Sequence, residues 1–371
     1  MSLKVGRLFG VEVRLHYTWF LIFAFLTWSL AWGYLPEGYP GQGDAFYWGV
    51  GAISALILFI SVLIHEVAHS LVAQRYKIPV NSITLYFLGG VSEISEEAHT
   101  SDAELRMAAA GPLMSIVLGV AFYSIFALGA GFLPIAAVAV LEYAGYINIV
   151  LAVFNLIPAF PMDGGRVLRG IIWGRNKDIL KSTRTVTNIS RLISYIFIAL
   201  GFLDTLFIGD FNGIWLLFIG LYVQSSAQAS MNETRMTQAL TGVTVSEIMT
   251  KEVKTVEPDL TLQQVQDYAL TPLKHHGFPV VKDGELLGLI TDEDVRRVKS
   301  EHWDERRVED IMKKVGELVT AKPGDASVDA LIKMAKAGVG RLPVVEEGKL
   351  VGIVTRSDFA RVIQERLKFR S

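Results

Sequence analysis

The chain has 371 residues, of which 51% are hydrophobic and only 19% are charged, and its mean hydropathy is +0.39. Such values exceed those of ordinary soluble proteins and predict membrane spans beside a more polar part. The net charge of −2 provides no basic surface for nucleic acid, and the lack of cysteine excludes disulfides and thiolate metal sites. The first apolar run is long and ends without a small-residue cleavage site, so we expect no cleaved signal peptide.

The composition changes sharply near residue 230. Before it, long uncharged runs alternate with short polar segments, whereas after it charge is dense and Gly and Pro recur regularly. We therefore predict a polytopic α-helical membrane domain over residues 1–230, with a short β-hairpin, followed by a soluble α+β domain over about 243–366. The polar stretch 230–241 joins the two domains.

Six apolar runs of the first domain are each near the length that a helix needs to cross a bilayer. They cover residues 16–34, 46–74, 107–129, 133–157, 191–208 and 212–229. With six spans, every Lys and Arg of this domain falls on one side of the membrane: residues 4, 7, 14, 75, 77, 106, 166, 169, 175, 177, 181, 184 and 191. By the positive-inside rule, both termini and the soluble domain are predicted to be cytoplasmic, which makes this a multi-pass protein of the cell membrane.

Residues 79–94 differ from the spans, because Ile83 and Leu85 alternate with polar side chains. This period predicts a hairpin or a re-entrant pair of strands, with its turn at Gly89-Gly90. The hairpin is either a surface element without a role or an exposed edge that pairs with an extended peptide. The acidic run that follows it, through Glu104, is expected to be a solvated loop.

The second predicted span contains the sequence His65-Glu66-Val67-Ala68-His69. Charged groups in the hydrocarbon cost roughly 2.5–3.5 kcal/mol each on insertion scales, and a divalent metal ion is the simplest group that offsets this cost. On a helix, the two histidines share one face and can hold one ion, while Glu66 lies about 100° away and can reach a nearby water. The competing interpretation, a chance match on an exposed helix, is disfavoured by the apolar surroundings.

A catalytic zinc ion normally has three protein ligands, so a third ligand is needed from elsewhere. Asp163 is the best candidate, because it is the only acidic residue between Glu142 and Asp178. The two prolines and two glycines around it are expected to break the helix, and such backbone is tolerated at membrane depth where it lines a cavity. An aspartate that serves only a turn or a helix end is the alternative.

Three motifs together resemble the site-2 protease family of intramembrane zinc metalloproteases. They are HEVAH in the second span, Ala110-Gly111-Pro112 in the third, and NLIPAFPMDGGR over residues 155–166. The resemblance implies Zn²⁺ held by His65, His69 and Asp163, with Glu66 as the general base. It also implies that Asn155 binds or orients the scissile carbonyl of a transmembrane protein substrate within the lipid bilayer. Many members carry Asn where this chain has Ser115, so a contact made by that Asn is not carried over.

The C-terminal third contains one pattern twice. The segments VSEIM, FPVV and GLITDED, which start at residues 245, 278 and 288, recur as VEDIM, LPVV and GIVTRSD, which start at 308, 342 and 352. The nearly constant offset indicates a duplication. Each copy predicts strand–helix–strand–strand–helix, with a turn at Asp283-Gly284 or Glu347-Gly348.

This repeat resembles a tandem pair of CBS domains, with copies at about 243–300 and 306–366. The resemblance implies a cleft for an adenine nucleotide (ATP, ADP or AMP), in which Thr291 and Thr355 bind phosphate and Asp294 and Asp358 bind ribose. Helix capping suits the same Thr-x-x-Asp spacing equally well. A homodimer through the CBS domains is compatible with the resemblance. The remaining candidates for added positive charge at the phosphates are Arg341, His275 and His276.

We therefore predict a zinc metalloendopeptidase that cleaves within or near transmembrane segments and is regulated by a nucleotide at its CBS pair. The alternative is a CBS-gated transporter or channel without proteolytic activity, which would give the HExxH sequence no particular use. A catalytically inactive membrane scaffold is a third interpretation.

Overall fold

The structure is a computed structural model that describes residues 2–86, 89–94, 98–207, 211–267 and 277–368. It divides into two compact units, Met1–Thr234 and Arg235–Ser371. The division falls inside a long helix.

The N-terminal unit is mainly helical. Its helices are α1 (Thr18–Ser29), which continues through the π-helical turn Leu30–Tyr34 into α2 (Leu35–Gly38), then α3 (Asp44–Arg75), α4 (Ser101–Gly129), α5 (Ile135–Asn155), α6 (Asp163–Asn176), α7 (Ile179–Phe207) and α8 (Phe211–Leu240). Within the described residues, five helices are long and apolar enough to cross a membrane: Thr18–Gly38, α3, α4, α5 and α7. This confirms the polytopic helical domain. The sixth predicted span, 212–229, lies in α8, which is not among these five, so its crossing stays a prediction.

A four-stranded sheet accompanies these helices. Its strands are β1 (Ser2–Leu8), β2 (Val11–His16), β3 (Val80–Tyr86) and β4 (Gly89–Ile94), in that spatial order. Strands β2 and β3 are parallel, and the other pairs are antiparallel. The predicted hairpin is present, but its turn was misplaced, because Gly89 and Gly90 already pair with Tyr86 and Leu85 as the first residues of β4.

Helix α4 lies at the centre of the unit, against α3, α5 and α6. Small residues allow this close packing, as is usual between membrane helices. A β-carbon added to Gly119 would lie 2.7 Å from Ile149 Cδ1, and one added to Gly170 would lie 3.1 Å from the backbone nitrogen of Leu105. The helix pairs α4–α5 and α4–α6 are thus fixed by contacts that leave no room for side chains.

The C-terminal unit has the predicted repeated α+β organisation. Its strands β5 (Gly277–Lys282), β6 (Glu285–Thr291), β7 (Lys313–Lys314), β8 (Arg341–Glu346) and β9 (Lys349–Thr355) form one sheet of order β5-β6-β9-β8, with β7 on β6. Its helices are α9 (Val245–Ile248), α10 (Leu262–Val265), α11 (Asp292–Arg296), α12 (Val308–Ile311), α13 (Ser327–Lys336) and α14 (Arg356–Lys368).

Each copy of the repeat contributes one tight hairpin. At both turns the two central residues have positive φ, 53° and 85° at Asp283-Gly284 and 51° and 82° at Glu347-Gly348. Two consecutive positive φ values are the signature of the type I′ turn that joins twisted antiparallel strands, and Asp-Gly is a favoured sequence for it. The predicted turns are therefore correct. His275 and His276 lie outside the described residues.

Candidate active site

The structure brings together the three residues that the sequence analysis nominated as metal ligands. Helix α3 presents His65 and His69 on one face, and Asp163 is the first residue of α6. The Nε2 atoms of the two histidines are 3.1 Å apart, and each is 3.1 Å from Asp163 Oδ2. Both histidines are buried, with exposed fractions of 3% and 5%.

This triangle of donor atoms fits a four-coordinate metal ion. Zinc binds histidine nitrogen and carboxylate oxygen at 2.0–2.2 Å, and a tetrahedral arrangement then separates any two donors by about 3.3 Å. The observed separations of 3.1 Å are close to that value. Two imidazoles and one carboxylate form a familiar ligand set for catalytic zinc, which leaves one position open.

The second nitrogen of each imidazole is held by helix α4. His69 Nδ1 lies 2.6 Å from the backbone oxygen of Met107, which can only accept, so Nδ1 is the donor and Nε2 of the neutral ring keeps its lone pair. His65 Nδ1 lies 2.9 Å from Ser115 Oγ. Such outer hydrogen bonds fix the tautomer and the orientation of metal-binding histidines. Ser115, where many family members have Asn, therefore contacts His65 directly. The contact of Met107 was not predicted, because any residue type can supply a backbone carbonyl.

Gly111 allows α4 to approach the histidines this closely. A β-carbon at that position would lie 2.2 Å from His69 Nε2 and 2.5 Å from His65 Nε2. Glycine is thus required at this position of the Ala110-Gly111-Pro112 segment, because any side chain would enter the volume between the donor atoms.

The glycines after Asp163 act differently from what the sequence suggested. Gly164 and Gly165 lie in the first turn of α6 and do not break a helix. A β-carbon on Gly164 would lie 2.3 Å from the backbone oxygen of Leu156, and one on Gly165 would lie 2.6 Å from the carbonyl carbon of Ala159. The loop after α5 therefore folds back against this turn, and this contact sets where Asp163 begins the helix.

Glu66 and Asn155, the other two predicted site residues, contact different elements of the N-terminal unit. The Cγ of Glu66 would lie 2.6 Å from a β-carbon on Gly90, so strand β4 passes directly over this side chain. Asn155 is the last residue of α5, and its Nδ2 donates to the backbone oxygen of Leu151 at 3.0 Å.

The two Thr-x-x-Asp segments of the C-terminal unit form helix caps. In each, the aspartate accepts from the backbone nitrogen and the hydroxyl of the threonine: Asp294 at 3.1 and 2.5 Å from Thr291, and Asp358 at 2.9 and 2.7 Å from Thr355. The capping alternative is thus realised at both positions, and both carboxylates are mostly buried.

Thr291 also lines a cavity of about 640 Å³ inside this unit. Lys313 and Arg341 also line it, together with Asp292, Glu293 and Glu317. Arg341 Nη1 donates to the backbone oxygen of Gly277 at 2.6 Å, and burial lowers the pKa of its guanidinium, which stays protonated at neutral pH. The cavity thus has room for a small polar ligand, which would meet two cationic and three carboxylate side chains.

A set of membrane-type helices that directs an HExxH pair and one aspartate to a common point defines a metal-dependent peptidase. The comparisons with known proteins agree. Residues 53–138 and 131–201 match Peptidase family M50, and residues 245–301 and 308–365 each match the CBS domain.

Similar proteins cover nearly the whole chain. Rip3 of Mycobacterium tuberculosis is 33% identical over 98% of this chain and 93% of its own length. Zinc metalloprotease MJ0392 of Methanocaldococcus jannaschii is 30% identical, over 98% and 96%. Among solved structures, the site-2 protease from Methanocaldococcus jannaschii is 29% identical over 62% of this chain and 95% of that chain, with a TM-score of 0.42. The chain therefore belongs to peptidase family M50, the site-2 proteases, and carries a tandem CBS pair, which confirms the protease prediction over the transporter alternative.

Proposed function

We propose that this enzyme hydrolyses peptide bonds within or near the transmembrane segments of membrane-protein substrates. The observation that carries the proposal is the triangle of His65, His69 and Asp163 donors, 3.1 Å on each side, with Glu66 directly after His65 on the same helix. The distribution of Lys and Arg supports a cytoplasmic location for both termini and the CBS pair.

The chemistry divides between the ion and the side chains. His65, His69 and Asp163 would hold a Zn²⁺ ion, whose chemistry would be to polarise the scissile carbonyl and to acidify the attacking water. Glu66 accepts the proton of the attacking water and returns it to the leaving amine. Asn155 orients the scissile carbonyl. The hydrogen bonds with Met107 and Ser115 fix the orientation of the two imidazole rings.

Strand β4 supports a mode of substrate presentation. The peptide bonds of a transmembrane helix are protected by its own hydrogen bonds, so the substrate must become extended before hydrolysis. Among the described strands, β4 pairs only with β3, which leaves its other edge for an added strand. Because Gly90 of β4 lies against Glu66, a peptide added at this edge would run beside the general base.

The decisive test is Glu66→Gln in the full-length protein. This change keeps the shape of the side chain and removes its basicity, so we expect zinc content to be retained and cleavage to fall by at least about 100-fold, the lower range of general acid–base effects. Zinc is measured in the purified protein, and cleavage by comparing membrane proteins that accumulate uncleaved in cells with either variant. Glu233→Gln, an exposed acidic residue of α8, is the matched control. Retained cleavage in Glu66→Gln would contradict the mechanism.

We further propose that the CBS pair binds an adenine nucleotide that regulates the protease. The supporting observation is the cavity of about 640 Å³ whose lining includes Thr291, Lys313 and Arg341. AMP, ADP and ATP are each titrated into the full-length protein by calorimetry. We expect Arg341→Gln to weaken binding at least tenfold, while Arg306→Gln, an exposed arginine that does not line the cavity, leaves it unchanged. No binding by the wild-type protein at millimolar nucleotide would refute this part alone.

A further inference from the structure

An ion pair lies fully inside the N-terminal unit, away from the donor atoms of the metal site. Glu104 of α4 is 0% exposed and Arg169 of α6 is 6% exposed. Arg169 Nε donates to Glu104 Oε1 at 2.6 Å, and Nη2 reaches the same oxygen. The guanidinium also lies 5.5 Å from the centre of the Phe160 ring, and its Nη1 is 3.4 Å from Thr234 Oγ1 of α8.

This burial contradicts the sequence interpretation of the acidic run through Glu104 as a solvated loop. Glu104 lies in the first turn of α4 and faces inward. Within the described part of the chain, its second oxygen, Oε2, has no hydrogen-bond partner. A buried ion pair of this kind contributes little net stability, since removing two charges from water costs about as much as their attraction returns. Net stability therefore does not explain why this ion pair is buried between the two helices.

The two helices joined by this pair carry different parts of the metal site. Helix α4 holds Met107, Gly111 and Ser115, which contact the two histidines. Helix α6 begins with Asp163, six residues or about 9 Å along the axis before Arg169. The pair thus lies between the helix that orients the imidazoles and the helix that carries the carboxylate.

The geometry of the pair restrains α6 in two directions. The charged hydrogen bonds of Arg169 fix how α6 is rotated about its axis, because a rotation would withdraw a buried cation from its only anion within the described residues. Gly170, the next residue, lies against the backbone of Leu105, where even a methyl group would be tight at 3.1 Å. Together these contacts fix both the rotation and the separation of α6 relative to α4.

We propose that Glu104 and Arg169 are positioning residues of the metal centre, which hold Asp163 Oδ2 at the correct distance from His65 and His69. The inference rests on the proposed metal site. Metal–ligand distances are tolerant to only about 0.2 Å, so a small displacement of α6 would move Asp163 Oδ2 out of ligand distance. The ion pair supplies the directional contact that apolar packing lacks.

The test uses the full-length protein, with zinc affinity measured by competition with a chromogenic chelator and folding followed by thermal unfolding. Glu104→Gln removes the charge and keeps the shape. The double variant Glu104→Leu/Arg169→Met replaces the pair by apolar groups of similar size, which protein interiors tolerate well. Arg106→Gln breaks the exposed pair with Asp102 on the same helix and serves as the matched control.

We expect both pair variants to bind zinc at least tenfold more weakly, the lower range found when supporting groups of metal sites are removed. The double variant should unfold within a few degrees of the wild type, and Arg106→Gln should match the wild type in both measurements. If Glu104→Gln fails to fold, the double variant decides. Zinc affinity within twofold of the wild type in a folded variant would overturn the positioning role alone, whereas a wild-type protein that binds no zinc would overturn the metal site as well.

Discussion

The substitution Gly111→Ala tests the close approach of α4 to the two histidines of the proposed metal site. Gly111 lies in the middle of α4, where alanine is ordinarily the better residue by about 0.5–1 kcal/mol. Without a steric conflict the variant should therefore be more stable than the wild type. Higher helix propensity would raise the stability of the variant, whereas a steric conflict with the histidines would lower it, so the sign of the change distinguishes the two.

The magnitude follows from the distance to the histidine. The added β-carbon would lie 2.2 Å from His69 Nε2, whereas ordinary van der Waals contact begins at 3.4 Å, so the ring or the helix must move by about 1.2 Å. This displacement is several times the tolerance of about 0.2 Å for a metal–ligand distance. We expect zinc affinity to fall by 100-fold or more and proteolysis to fall with it.

The assay is zinc competition on the purified full-length protein, with thermal unfolding of the zinc-free form beside it. Gly49→Ala is the matched control, because Gly49 lies on α3 and an added β-carbon would find nothing within 4 Å. We expect the control to bind zinc normally and to be slightly more stable. Wild-type zinc affinity in Gly111→Ala, together with raised stability, would refute the close approach of α4 to the histidines.

Three further outcomes can be measured with the same protein. Ser115→Ala removes the 2.9 Å contact to His65 Nδ1, and we expect zinc affinity to fall about 10–100-fold while folding is retained. Gly164→Ala should prevent the loop from packing on α6, because the β-carbon would lie 2.3 Å from Leu156 O, so zinc content and thermal stability should both fall. Thr355→Val removes the 2.7 Å hydrogen bond that the threonine hydroxyl donates to Asp358, and we expect the C-terminal unit to lose about 1 kcal/mol in denaturant unfolding, with unchanged zinc binding. Unchanged values in any of these would contradict the corresponding contact.

Local patterns in the sequence predicted much of this protein. The apolar runs predicted the long helices because a bilayer demands about 20 residues of low polarity, whatever the neighbours are. The offset between the two C-terminal copies predicted both hairpins, since an Asp-Gly or Glu-Gly pair between apolar strands specifies its own turn. The sequence did not predict β1 and β2, because β3, the strand that holds β2 in the sheet, is more than sixty residues away.

The sequence by itself determined which groups can bind a metal, because the i, i+4 spacing of His65 and His69 places them on one face of any helix. Tertiary structure alone decided how these groups are held. Met107 contributes a backbone oxygen, Ser115 reaches across from another helix, and Glu104 lies buried against Arg169. These contacts join residues 38 to 65 positions apart, and they depend on how closely α4 packs against α3 and α6. Local periodicity carries no information about such a packing distance, so only the folded helices reveal how the site is supported.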